Sequence, residues 1–183
     1  MRQIALGSLN IDIEFAEGFG FDLGRSFPSL DESYRQEIFE KLYNGMPFAM
    51  QFGDSLGMIF RFVSEDIQNE IFEQINRNVI FANGIGRGLG YSYQPLPEEL
   101  RKEVFKRAMT NIELTMDLGL GIGKNFSSLS ESLQQEMLGK AKKIHIFDQG
   151  LGFGIGWFLK SLLKNFNSTC LTKQITIENL LMA

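Results

Sequence analysis

Chemistry in a protein usually needs a cluster of titratable or nucleophilic groups, and this 183-residue chain has only one histidine and one cysteine. With His145 alone, neither a Ser-His-Asp triad nor a histidine-rich metal site is expected. Cys170 cannot form an intrachain disulfide and has no basic neighbour nearer than Lys173 in the chain, so an inert thiol is expected. Glycine runs are the other temptation. Gly84-x-Gly86-x-Gly88-x-Gly90 and Gly150-x-Gly152-x-Gly154-x-Gly156 superficially suit phosphate binding. A dinucleotide fingerprint, however, requires a preceding strand, a βαβ unit and a later acidic residue. Gly119 to Asn125 approximates a phosphate loop, but its first Gly is misplaced and Asn125 stands where Ser or Thr would ligate magnesium. No pair of carboxylates stands apart as catalytic. No catalytic residue, cofactor or metal is therefore expected, and an enzyme is the least favoured class.

The glycines have a simpler explanation, which is repetition. Segments starting at Phe15, Phe48, Phe81, Leu114 and Phe147 align without gaps at a spacing of 33 residues. Gly20, Gly53, Gly86, Gly119 and Gly152 form one invariant column, and Gly24, Gly57, Gly90, Gly123 and Gly156 another. Glu32, Glu65, Glu98 and Glu131 form a third, and Glu37, Glu70, Glu103 and Glu136 a fourth. The chain divides into a half unit (1–14), four full units (15–47, 48–80, 81–113, 114–146) and a divergent capping unit (147–183). Residues 171–183 are expected to form a final short helix over the last core face.

Each unit reads as two helices, A and B. In A, bulky apolar residues recur every fourth position, as in Phe15, Phe19, Leu23 and Phe27. That spacing is helical, since a strand would alternate. The paired glycines flank this stripe. Glycine within a helix costs about 1 kcal/mol relative to alanine, so close backbone approach by a neighbouring helix is the expected compensation. Helix B, such as Asp31 to Leu42, carries an apolar stripe at Tyr34, Ile38, Phe39 and Leu42. Ser29 with Glu32, and Ser128 with Glu131, have capping-box spacing. Pro95 and Pro97 suit a helix start, while Asn44, Gly45, Asn78 and Asn111 read as helix stops. His145 aligns with Met46, Val79 and Ile112, which predicts a structural histidine in an apolar column.

In helix A, Leu23-Gly24 with Phe27, Leu56-Gly57 with Phe60, Leu89-Gly90 with Tyr93, and Ile122-Gly123 with Phe126 form a recurring core. This pattern resembles the tetratricopeptide-like repeats, and the likeness is confined to helix A. The resemblance implies stacked helical hairpins and a groove that binds peptides. The predicted fold is all-α: a right-handed α-solenoid of antiparallel helical hairpins.

Function is expected where side chains vary over a fixed frame. The A positions two, six and ten places after the leading residue form such a stripe. Its candidate partner-binding residues are Phe21, Arg25, Met50, Met58, Arg87, Tyr91, Lys124, Phe153 and Trp157, types enriched at binding hot spots. A non-catalytic protein- or peptide-binding scaffold is therefore expected. The alternatives are head-to-tail self-assembly and nucleic-acid binding. Assembly is favoured by a charge polarity of −6 over residues 15–80 against +3 over residues 81–183. Nucleic acid would bind through Arg101, Lys102, Lys106, Arg107, Lys140, Lys142 and Lys143, against which the acidic first half argues. Gly150 to Leu163 is apolar but too short to span a bilayer, so membrane association is not expected. The N-terminus lacks the apolar core of a signal peptide, and a cytoplasmic location is expected.

Overall fold

The computed structural model describes residues 13–160, and all nine of their α-helices pack closely with no strand among them. The predicted half unit up to residue 12, the terminal cap at 171–183 and Cys170 lie outside the described residues. The A-type helices are α1 (Ile13–Ser26), α3 (Met46–Met58), α5 (Val79–Tyr91), α7 (Ile112–Lys124) and α9 (145–160). The B-type helices are α2 (Glu32–Lys41), α4 (Glu65–Ile75), α6 (Glu98–Ala108) and α8 (Glu131–Ala141). Short 3-10 turns at Phe27–Ser29, Phe60–Phe62 and Phe126–Ser128 carry the chain from A to B.

The helix starts differ in chemistry from the sequence expectation. Asn78 and Asn111 do more than close the B helices, where their backbone amides donate to the Gln74 and Ala108 carbonyls; they also begin the A helices that follow. Asn78 Oδ1 accepts the Phe81 amide and Asn111 Oδ1 the Leu114 amide, both at 2.9 Å. Each satisfies an amide that the first turn leaves without a partner. The expected capping boxes at Ser29 and Ser128 do not form either. Asp31 and Ser130 occupy those N-cap positions instead, each two residues further on, because the 3-10 segments run through Ser29 and Ser128.

A second recurring tie holds each hairpin closed. Arg35 Nη1 donates to the Leu30 carbonyl at 2.8 Å, Gln68 Nε2 to Val63 at 2.8 Å, Arg101 Nη1 to Leu96 at 3.0 Å and Gln134 Nε2 to Leu129 at 3.1 Å. All four donors share one repeat position, as do all four acceptors. A long side chain from helix B thus satisfies a carbonyl in the A-to-B turn that no helix can reach.

The main seam runs between A helices. A methyl group on Gly20 would lie 2.7 Å from the Phe48 carbonyl oxygen, on Gly57 2.7 Å from that of Ile85, and on Gly90 2.6 Å from that of Leu118. Real Cβ atoms do not come this close to backbone, so these sites admit only hydrogen. Register rises together on both helices, from Gly20 opposite Phe48 to Gly24 opposite Phe52, so neighbouring A helices are parallel. A second set faces backward: Gly84 lies against Met50, Gly88 against Asp54, Gly121 against Arg87 and Gly154 against Leu120, in each case at the carbonyl oxygen. Contacts this short bring Cα–H groups to carbonyl oxygens, a weak attraction repeated along the seam. Ser55 Oγ donates across it to the Phe21 carbonyl at 2.6 Å, and Asn125 Nδ2 to that of Tyr91 at 3.1 Å.

On the opposite side of the A helices the every-fourth-residue stripe meets the B helices and forms the core. Phe27, Phe48, Phe52, Phe60, Phe81 and Phe147 are fully buried there. Phe15, Phe19, Phe48, Phe52 and Phe81 make one continuous stacked row, with centroids 5.6–6.0 Å apart. The B helices, by contrast, meet through long side chains: Arg35 forms a two-point ion pair with Glu70 at 3.0–3.1 Å, Arg107 lies over the Phe72 ring and Lys140 over that of Phe105.

The seam gives a direct contrast between glycines. Gly57→Ala is expected to destabilise the chain by about 3 kcal/mol, because backbone on the facing helix must retreat. Gly139→Ala, in α8 with open space around it, is expected to stabilise by roughly 0.5–1 kcal/mol through helix propensity. Urea unfolding of the two variants checks both signs.

Candidate functional site

Three faces of each inner A helix (α3, α5 and α7) are spoken for: one by the B helices and two by neighbouring A helices. The fourth carries the stripe two, six and ten places into each unit. It gathers the candidate residues of successive helices side by side. Phe21, Met50, Met58, Arg87, Tyr91 and Lys124 are half-buried, and Arg25, Phe153 and Trp157 are exposed. Arg25 lies over the Phe21 ring at 5.8 Å.

The centre of the stripe is electrostatically connected. Arg87 Nη2 reaches Asp54 Oδ2 at 2.9 Å and Arg87 Nε the same oxygen at 3.1 Å. Lys124 Nζ donates to the Tyr91 hydroxyl at 3.0 Å and sits 4.7 Å from the centroid of the Trp157 ring. Each of these pairs joins the same repeat position on successive helices, and all three cross a glycine seam. Close backbone approach thus brings side chains on neighbouring helices within bonding range.

Two carboxylates are held here at a cost. Asp54 is 7% exposed, and its Oδ1 is buried without a hydrogen bond. Burial raises its pKa, with Arg87 opposing. Asp117, on α7, is pushed up to about 6, chiefly by burial, with Arg87 and Lys124 opposing and Asp54 adding to the rise. Asp117 forms no hydrogen bond among the described residues. Groups with desolvated charge beside a surface of aromatic and methionine side chains are the kind that gather at functional sites.

Sequence reasoning selected the stripe by its variability and identified Arg87 and Lys124, but not their acidic counterparts. Asp54 was visible in the same column as Arg87, 33 residues earlier, which is the signal that could have identified it. Asp117 lies in the backward-facing glycine column, where a charge is out of place, and that anomaly is its signal.

His145 is not packed in an apolar column. Its column lies at the first turn of each A helix and points to solvent: Ile13, Met46, Val79 and Ile112 are all exposed, as is His145, whose Nε2 lies 3.5 Å from Gln149 Nε2. Residues at this turn precede the seam and have no neighbour to pack against. Leu138, which holds in α8 the repeat position of buried Phe39, Phe72 and Phe105, is 39% exposed.

Four of the seven basic residues considered for nucleic-acid binding are paired within their own helices. Lys102 meets Glu98 and Glu99, Lys106 and Arg107 meet Glu103, and Lys140 meets Glu136. Among the described residues no group of side chains suits a metal ion, and no helix is long and apolar enough to cross a membrane. No family model, curated protein or solved structure matches this chain.

The raised Asp117 pKa has a definite pH signature. The unfolded side chain releases its proton near pH 3.9, the folded one near 6. Between those values the folded state holds the extra proton, so stability falls as pH rises through this window. Asp117→Asn is expected to raise stability at pH 7 by about 1 kcal/mol, after allowing for solvent screening of this part-exposed group. It should also flatten the decline between pH 4 and 6, leaving the smaller part due to Asp54. Urea unfolding at pH 4.5 and pH 7 reads both.

Proposed function

We propose that the chain is an α-solenoid of antiparallel hairpins with a 33-residue repeat, akin to tetratricopeptide-like arrays, and that it acts as a non-catalytic module. Its A-helix stripe binds a protein or peptide partner. The observation that carries this reading is the continuity of the stripe. Side chains at matching positions of successive helices lie side by side and bond across three of the four seams, from Asp54 and Arg87 through Tyr91 and Lys124 to Trp157. The seams keep them in fixed relative positions, so a segment laid along the stripe meets a pre-organised surface and loses less entropy on binding than it would on a mobile one. Aromatic, methionine and arginine side chains there supply contact area.

Nucleic-acid binding is a weaker reading, because most of the lysines and arginines it would use are already neutralised by helical neighbours.

Selection of displayed peptides against the intact protein tests the proposal. Selected binders are expected to lose about tenfold or more in affinity with Tyr91→Ala or Trp157→Ala, and to tolerate Met46→Asp and Val79→Asp on the exposed helix-start edge. Binders indifferent to the first pair and abolished by the second would move the interface to that edge and overturn the assignment.

A further inference from the structure

Between α7 and α9 the stripe opens into a groove of about 470 Å³. Its walls are Met116, Leu120, Phe153 and Trp157, and its lining is largely apolar. Phe153 and Trp157 are 63% and 67% exposed, the largest apolar side chains left uncovered on this face. Three features define what would fill it.

The first is the shape of its outer rim. Gly152 and Gly156 line the groove at the repeat positions that Gly119 and Gly123 hold in α7. In α7 those glycines meet the backbone of the next helix, with the Phe147 carbonyl oxygen 2.6 Å from a methyl placed on Gly119. A methyl on Gly152 or Gly156 would meet no described atom within 4 Å. The rim therefore repeats a surface that elsewhere in this chain seats a helix.

The second feature is charge. Asp117 lines the groove with no hydrogen bond among the described residues. Nearby cations are committed elsewhere: Arg87 to Asp54, and Lys124 to Tyr91 and the Trp157 ring. Lys160 also lines the groove, so the carboxylate and an ammonium are both present for a partner to answer.

The third feature bears on a second copy. In the internal seams, one repeat position faces the carbonyl of the preceding helix, and it is held by Ser55, Gly88, Gly121 or Gly154. The equivalent residue of α1 is Asp22. Stacking α1 of another copy onto α9 in this register would press a carboxylate against a carbonyl oxygen, which repels it.

Resting on the partner-binding reading above, we propose that this groove seats a helix of another protein, which packs against Gly152 and Gly156 and places a basic side chain on Asp117. Helix-in-groove docking of this kind uses apolar anchors for affinity and one charge for orientation.

Trp157 is the chain's single tryptophan, so its emission reports occupancy directly. The probes are a helix-forming peptide of alanine and leucine with one central lysine, and the same peptide with glutamate in its place. Titrated into the full chain, the lysine peptide is expected to shift Trp157 emission to the blue saturably and to bind about tenfold tighter than the glutamate peptide. Asp117→Asn should remove that preference, and Gly152→Leu should abolish the shift with either peptide. Circular dichroism of each variant checks folding, and amide hydrogen exchange on the unaltered chain locates the bound peptide whether or not Gly152→Leu folds. No saturable shift, a preference for glutamate, or a lysine preference surviving Asp117→Asn would overturn the proposal. So would a blue shift that grows with protein concentration alone, which would assign the groove to a second copy. An emission already blue in the free monomer and unmoved by peptide would assign it to the chain itself. Peptides from the display selection that protect only α1, α3 and α5 from exchange would defeat the groove while leaving partner binding intact; if no selected peptide protects the stripe, both readings fail.

Discussion

Parallel helices touching backbone to backbone set the terms for the rest of this molecule. Glycine in a helix weakens it, and a single A helix with several would be poor on its own. Neighbours make the difference. Where Gly53, Gly57, Gly86 and Gly90 meet carbonyl oxygens, absence of a side chain permits contacts that alanine would forbid. The seam fixes which faces remain. Core aromatics must point toward the B helices, and the opposite stripe must look outward.

That stripe shows what close approach does to polar groups. Asp54 and Arg87 pair because their helices are too near for the side chains to avoid each other, and the burial that results leaves one carboxylate oxygen without a partner. Removing both charges would be expected to cost little, since desolvation offsets much of what such a pair gains. Asp117 is less well compensated still, with burial outweighing its cationic neighbours. A frame this regular had apolar or glycine alternatives at the same positions, as Leu120 and Gly150 demonstrate. On the proposed reading, the charges kept where they strain the fold answer a bound partner rather than the fold itself.

Much of the architecture was legible because it rests on identity. Gly20 and Gly53 recur as glycine, and Phe48 and Phe81 as phenylalanine, since a methyl or a missing ring at those places breaks packing. Features resting on equivalent function rather than identical type were not. The hairpin tie alternates Arg35, Gln68, Arg101 and Gln134, which share only a donor on a long stem. Asn78 and Asn111 read in the sequence as helix ends and not also as helix starts, because an asparagine between two helices suits the end of one and the start of the next equally well. His145 was misplaced for a related reason: apolar companions at a repeat position suggest burial, yet a first-turn residue projects beyond the seam. At the candidate site, the residue types of the stripe were readable, whereas the desolvation of Asp54 and Asp117 depends on distances between helices that no spacing in the chain encodes.

The uneven distribution of contacts also has a mechanical consequence. The A helices are locked together backbone to backbone along one side, whereas the B helices opposite meet only through long side chains, as where Arg35 pairs with Glu70 and Lys140 lies over Phe105. Such a body resists shear and stretching along its glycine side but yields to flexing about it, much as a bound book opens along its spine. Small rotations between successive hairpins would add up along the row of five A helices, while the glycine contacts leave the spacing of Asp54, Arg87, Tyr91, Lys124 and Trp157 unchanged.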